Sequence, residues 1–236
     1  MRLAWPNWLA AAGDTANGVE AAEFSTSFSS SGNLARQIQQ GAPLDLFVSA
    51  NLEYVDILRK SGDRVVKSVA FASGGLAIVI QKNGKFVNTT NPELLDALLS
   101  VNADAFESLS PLRISLANAR HAPYGIAAEE VLEKLDLNKE HQKLYAENAS
   151  QAVQFLTAGG ADVALVPVSL LASRGADFLW QRVDNHLYKP VLHHLVLLKG
   201  ASSGAADLYE SLLQADAVQE LLPYGFEAIP AIDAQK

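Results

Sequence analysis

Short apolar runs alternate along the chain with segments of helical period. Residues 44–50 and 192–198 are apolar almost throughout and of strand length, which is typical of strands buried on both faces. Residues 124–135 instead repeat apolar positions every three or four residues, as an amphipathic helix does. This alternation predicts an α/β fold in which helices cover the sheets.

The individual elements follow from the same pattern and from turn residues. We predict strands over residues 24–28, 44–50, 65–71, 76–80, 113–117, 163–168 and 192–198. Helices are predicted over residues 33–40, 52–60, 91–99, 124–135, 149–157, 207–213 and 217–222. No internal repeat or low-complexity linker interrupts the series.

Composition and charge narrow the range of functions. A chain of 236 residues can bury one large core or two smaller ones. Its net charge is −8 and it has no cluster of Lys or Arg, which argues against a nucleic-acid partner. It has no cysteine, which excludes thiol catalysis, disulfides and Cys-ligated zinc.

The apolar runs are too short for a transmembrane helix, which needs about 20 residues. The first residues, Met1 to Pro6, contain no long apolar stretch, so we do not expect them to be a signal peptide. We therefore expect either a cytoplasmic protein or one from which a leader has been removed.

Three segments share one design: a strand, a loop of small or polar residues, and the start of a helix. The loops are residues 28–33, 122–126 and 147–151. The first amides of a helix have no partner within it, and the helix dipole adds positive charge there, so a helix start can bind an anion. Gly32 and Gly125 allow close approach of the backbone, and Ser31 adds a hydroxyl donor. Each loop alone is weak, because serine at a helix start is usually just an N-cap.

Several longer stretches form a specific pattern: SFSSSGNLARQI at 27–38, GAPLDLFVSA at 41–50, and the blocks at 121–125, 147–152, 164–169 and 224–226. In order and spacing these stretches resemble the signature of the molybdate-binding periplasmic proteins. It covers nearly the whole chain from about Phe24 onward.

The resemblance implies a set of neutral ligand donors. The ligand serine falls on Ser31, backbone donors fall on Tyr124 and Ala149, and an asparagine of the first loop falls on Asn7. That first loop departs from the family, because Pro6 has no N–H to offer and the helix before Phe24 is about five residues short. The block at Pro167 provides no ligand.

The same resemblance implies a type II periplasmic-binding-protein fold, with two α/β lobes, a hinge and a ligand cleft. Lobe 1 would comprise residues 1–76 and 191–236, and lobe 2 residues 77–190. Such a protein is a monomer, binds molybdate or tungstate without a cofactor, and delivers it to the membrane permease of an ABC transporter from the periplasm. Molybdate, tungstate and sulfate are fully deprotonated near neutral pH, so a site made only of donors suits each of them.

Other functions stay open at this point. A binding protein for sulfate or another oxyanion and a ligand-sensing regulatory domain are the main alternatives. An enzyme is disfavoured because no Gly-x-Ser-x-Gly nucleophile motif occurs. A metal site is also disfavoured, since His193 and His194 are adjacent on a strand and point to opposite faces.

Overall fold

A computed structural model describes residues 2–4, 25–137, 140–171, 176–214 and 219–229. Within these ranges the chain divides into two compact units, Met1–Ser73 with Leu192–Lys236 (unit 1) and Gly74–Val191 (unit 2). The lobe boundaries implied by the family resemblance are 76/77 and 190/191.

The described strands and helices alternate as an α/β fold requires. The strands are β1 (Arg2–Ala4), β2 (Ser25–Ser27), β3 (Leu46–Ser49), β4 (Val65–Gly74), β5 (Leu76–Gln81), β6 (Arg113–Ala117), β7 (Gln142–Ala146), β8 (Val163–Pro167), β9 (Phe178–Arg182), β10 (Val191–Leu198) and β11 (Phe226–Ala228). The helices are α1 (Ser31–Gln39), α2 (Leu52–Lys60), α3 (Lys85–Thr89), α4 (Pro92–Leu99), α5 (Ala103–Ser108), α6 (Pro123–Lys134), α7 (Ala149–Thr157) and α8 (Ser203–Leu212).

Unit 1 is a mixed sheet with helices on both faces. Its strand order is β11-β4-β10-β3-β1-β2; β1 runs parallel to β2 and β3, and β3 runs antiparallel to β10. Side chains of β3 alternate between the faces: Leu46 packs with Tyr209 of α8, whereas Phe47 packs with Leu34 of α1 and Val55 of α2. The sheet is therefore the middle of three layers.

Unit 2 contains a five-stranded sheet in the order β7-β6-β8-β5-β9. β6 runs parallel to β7 and β8, and β5 runs antiparallel to β8 and β9. Helix α7 covers one face with Val153 and Leu156, which pack against Val79 of β5. The intervening β5 residues Ile78 and Ile80 are also fully buried, so this central strand is covered on both faces.

The elements absent from the sequence prediction are mostly edge strands and short helices. β7, β9 and β11 lie at sheet edges, and Tyr145 of β7 and Trp180 of β9 are exposed. A strand open to solvent lacks the continuous apolar run that marks a central one. Helix α8 begins at Ser203, four residues before the predicted start, because Ser202 caps it. The predicted helix at 217–222 lies partly outside the described residues, and Leu222–Tyr224 forms a 3-10 turn.

No helix in the described ranges is long and apolar enough to cross a membrane.

A matched pair of valines in unit 1 tests the layered core. Val196 of β10 is fully buried against α1 and α2, whereas Val66 of β4 is 57% exposed. Val196→Ala removes two buried methyl groups, so we expect it to lower the free energy of unfolding by about 1.5–3 kcal/mol. Val66→Ala should change it by less than about 0.5 kcal/mol. Urea unfolding measures both, and equal effects would contradict this assignment of the core.

A buried histidine makes unit 1 sensitive to acid. Burial, reinforced by the neighbouring His194, lowers the pKa of His193 from 6.5 to about 3, and its ring packs edge-on against Phe226. Below pH 6.5 the His193 side chain binds a proton in the unfolded chain but stays neutral in the folded chain, which favours unfolding. Above that pH the side chain is neutral in both states and has no such effect. Its contribution to the loss of unfolding free energy is about 1.4 kcal/mol per pH unit between about 6 and 4.

His193→Leu should make the fall in stability shallower by that amount when urea unfolding is repeated from pH 7 to pH 4. Val196→Ala provides a control, because it removes no titratable group and should leave the slope unchanged. A His193→Leu variant with the slope of the unsubstituted protein would refute the role of burial.

Candidate ligand-binding site

The parallel strands of unit 1 bring two loops to one sheet edge. Since β1 is parallel to β2 and β3, the segments that follow β2 and β3 leave the sheet at the same carboxyl edge. After β2 the chain enters α1, and after β3 it passes Ala50 and enters α2. The Ala50 N–H donates to the Ser31 hydroxyl oxygen at 3.0 Å, so the two loops are bonded to each other.

Ser31 is the first residue of α1 and its side chain is buried. Capping is done by its neighbour, since the Ser30 hydroxyl accepts from the Asn33 N–H at 3.4 Å. Ser31 is therefore not needed as the N-cap. Because its oxygen already accepts from Ala50, its hydroxyl proton is the group it can offer to an acceptor.

In unit 2 the loops after β6 and β7 are also held together. Residues Ala117 and Ala146 are paired at the ends of these parallel strands. The Asn118 N–H then donates to the Ala146 carbonyl at 2.8 Å, and His121 Nε2 lies 3.6 Å from a carboxylate oxygen of Glu147. The first of these loops leads into α6 and the second into α7, so both helices begin at the same edge of the sheet.

Gly125 is required for the start of α6. A Cβ atom at this position would collide with the Ala117 carbonyl oxygen and lie 2.9 Å from the Ala119 nitrogen. Both atoms belong to the backbone and cannot move aside as a flexible side chain could. The helix can approach the end of β6 this closely only because residue 125 is glycine.

Tyr124 is the second residue of α6, whose N-cap, Ala122, has no side chain able to cap the helix. Burial raises the pKa of the Tyr124 phenol well above its ordinary value, and Tyr188 raises it further. The positive charge of Arg182 lowers this pKa in part, but the phenol stays neutral. The backbone amide of Tyr124 lies in the first turn of α6. The residue four positions earlier, whose carbonyl would accept from this amide within a longer helix, lies before the helix begins.

Helix α7 begins at Ala149 and is capped by side chains on both sides of it. Asn148 accepts from the Gln151 N–H at 3.0 Å, and the Gln151 side chain in turn accepts from the Glu147 N–H at 2.7 Å. This reciprocal arrangement resembles a capping box. These two hydrogen bonds fix the first turn, and neither of them uses the Ala149 amide.

Carboxylates separate the helix starts into two groups. Among the described helices of eight residues or more, α2 and α4 carry Glu53 and Glu93 in the first turn. At α8, Asp45 accepts from the N–H of the N-cap residue Ser202 at 2.9 Å. The first turns of α1, α6, α7 and α8 contain no acidic residue. Of these four, α1, α6 and α7 are the helix starts that the sequence predicts for anion binding.

The structure brings some of the predicted site residues together. Tyr124 and Ala149 lie at one edge of the sheet of unit 2, and Ser31 lies at the carboxyl edge of the parallel strands of unit 1. Asn7 is outside the described residues. The amides of Ala50 and Asn118 hold the loops together, and neither residue could be identified from the sequence, because a backbone hydrogen bond has no signature in residue type. Across the described residues no group of three or more His, Asp or Glu side chains gathers as a metal site.

A family model described as bacterial extracellular solute-binding protein matches residues 9–227. The chain belongs to this family. The solute-binding protein is 34% identical over 209 residues to the molybdate-binding protein ModA of Azotobacter vinelandii, covering 85% of this chain and 77% of that one. It is 30% identical to the protein of the same name from Rhodobacter capsulatus, with 84% and 75% covered.

The fold agrees as well. A solved structure of the periplasmic molybdate-binding protein of Azotobacter vinelandii matches 97% of the solute-binding protein and 98% of its own chain, with a TM-score of 0.73 and 20% identity. These matches confirm the predicted resemblance and the periplasmic-binding-protein fold.

Substitution of Gly125 tests the close contact beneath α6. Gly125→Ala forces the Ala117–Ala119 backbone to shift, so we expect a loss of about 1–3 kcal/mol in unfolding free energy. The control is Gly204→Ala in α8, where a Cβ meets nothing within 4 Å, and alanine should be neutral or stabilise by up to about 1 kcal/mol. Thermal or urea unfolding compares them. If Gly125→Ala were as stable as Gly204→Ala, the contact would not exist in solution.

Proposed function

We propose that the protein binds molybdate or tungstate and delivers it to the permease of an ABC importer. The observation that carries the proposal is the absence of acidic residues from the first turns of α1, α6 and α7. Membership of the solute-binding family and the identity of its molybdate-binding relatives support molybdate as the ligand.

The ligand contacts that we propose are the Ser31 hydroxyl and the backbone amides of Tyr124 and Ala149, with Asn7 as a fourth donor. Each of these groups is neutral. A fully deprotonated tetrahedral oxyanion only accepts hydrogen bonds, so it can be satisfied by donors alone. Phosphate retains a proton near neutral pH and would need an acceptor in the site, which this donor set lacks.

Hydrogen bonds would supply most of the affinity in this arrangement. A hydrogen bond to a charged group contributes about 1.5–3 kcal/mol, so four of them give about 6–12 kcal/mol, and micromolar binding needs about 8 kcal/mol. A helix dipole adds about 0.3–1 kcal/mol at an exposed terminus. The dipoles therefore assist, and the precise placement of the donors decides the strength of binding.

The remaining parts of the proposal follow from the transport role. We propose that the protein acts as a monomer in the periplasm, carries the oxyanion as cargo and not as a cofactor, and catalyses no reaction. Sulfate is the competing cargo, because it has the same charge and shape in a smaller volume. Discrimination between the two would depend on how far apart the donors are held.

Isothermal titration calorimetry with molybdate, tungstate and sulfate tests this function on the whole chain. We expect both metal oxyanions to bind and sulfate to compete poorly. Absence of heat with all three anions, in a sample shown to be folded, would refute the proposal. If sulfate bound more tightly than molybdate, the protein would still have an oxyanion site, but the proposed ligand would be wrong.

A matched pair of serines tests the contact in unit 1. Ser31→Ala removes a hydroxyl donor and should weaken molybdate binding by about 1–3 kcal/mol. Ser203 provides the control, because Ser202-Ser203-Gly204 repeats the residues Ser30-Ser31-Gly32 at the start of α8, where Asp45 already accepts from the N-cap amide. Ser203→Ala should leave the affinity unchanged. Equal affinities for the two variants would remove Ser31 from the site.

A further inference from the structure

The sheet of unit 2 brings a cation to the edge at which α6 and α7 begin. Arg182 is the last residue of β9 and pairs with Ala77 of β5, whose first residue, Leu76, pairs with Pro167 at the end of β8. β8 runs parallel to β6, so Arg182 lies at the same edge as the loops that lead to Tyr124 and Ala149. In the donor set of the proposed function, every contact is neutral.

The position of the guanidinium group is enforced by a glycine. A Cβ atom at the buried Gly75 would lie only 2.7 Å from Cζ of Arg182, which means that the guanidinium packs directly on the backbone of residue 75. Next to it, the Leu76 N–H donates to the Tyr188 hydroxyl at 3.0 Å, and that hydroxyl donates to Asn185 at 3.0 Å. The charge is thus held by packing against a fixed backbone, and it is partly shielded from water.

The guanidinium of Arg182 also interacts electrostatically with the side chain of Tyr124, the second residue of α6. The guanidinium of Arg182 acts against the burial that raises the pKa of the Tyr124 phenol, so the two side chains are near enough to interact electrostatically. Because the amide of Tyr124 belongs to the same residue, an anion bound there would also be attracted by this guanidinium.

We propose that Arg182 is a specificity-determining residue of the oxyanion site, a fixed cation that favours a doubly charged tetrahedral anion over a singly charged one. The inference rests on the proposed function, since it concerns the same site. The energy of a fixed charge with an anion is proportional to the charge of that anion. Arg182 should therefore stabilise molybdate, with two negative charges, about twice as much as perrhenate, a tetrahedral anion of similar size with one.

Replacement of Arg182 gives a readout that a purely structural role would not produce. With Arg182→Met we expect molybdate affinity to fall roughly threefold to tenfold, since the charge acts at a distance and is partly screened. The fall for perrhenate should be about the square root of that factor. Perrhenate affinity is measured by its displacement of bound molybdate in calorimetry, with the whole chain and at fixed ionic strength.

Two variants separate charge from packing. Arg182→Lys keeps the charge and should restore the preference for molybdate over perrhenate. Lys85→Met removes one positive charge from an exposed residue of the same unit, which follows the opposite end of β5. It should leave both affinities unchanged.

Gly75→Ala is the alternative variant if Arg182→Met fails to fold. It displaces the guanidinium without deleting it and should lower the preference for molybdate over perrhenate.

The outcomes distinguish this inference from the function on which it depends. Equal losses for the two anions, or no loss for either, in a protein that binds molybdate would overturn the role of Arg182. Failure of the unsubstituted protein to bind either anion would instead overturn the proposed function, and the role of Arg182 with it.

Discussion

The opening turn of a helix contains amide groups that need an acceptor, and this requirement governs the molecule's candidate chemistry. At α2, α4 and α8 a carboxylate of the protein itself lies at or near those amides. At α1, α6 and α7 the first turn contains no acid. An acidic protein with net charge −8 can therefore attract an oxyanion locally, because the positive ends of helices act over short distances that a distributed net charge does not cancel.

The sheets give these helix starts their common positions. Parallel β6 and β7 release their chains at one edge, where the Asn118–Ala146 hydrogen bond keeps the two loops adjacent. Gly125 then allows α6 to begin directly over the end of β6. Unit 1 repeats the device with the Ala50–Ser31 bond. In each case the donors are held by backbone geometry, which is more rigid than long charged side chains would be and loses less entropy when a ligand binds.

Much of this could be predicted from the sequence, and the omissions have physical reasons. Central strands such as β5 are buried on both faces and appear as apolar runs, and helices such as α7 are delimited by Asn148 and Gly159-Gly160. Edge strands such as β7, in which Lys143 and Tyr145 both bond to the carboxylate of Glu129 and Tyr145 is exposed, have no such pattern. The roles proposed for Ser31, Tyr124 and Ala149 depend on the family resemblance, because residue type alone does not distinguish a ligand serine from a capping one. Arg182 was not found because its importance depends on strand register and on its contact with Gly75, which are properties of the folded chain.

The most direct test of the central claim is a crystal structure of the protein grown with tungstate, with the tungsten located by its anomalous scattering. The account predicts one tetrahedral density whose oxygens lie within hydrogen-bonding distance, about 2.7–3.2 Å, of the Ser31 hydroxyl and of the Tyr124 and Ala149 amides. Tungsten located elsewhere, or bound by side-chain cations while these three donors contact only water, would contradict it.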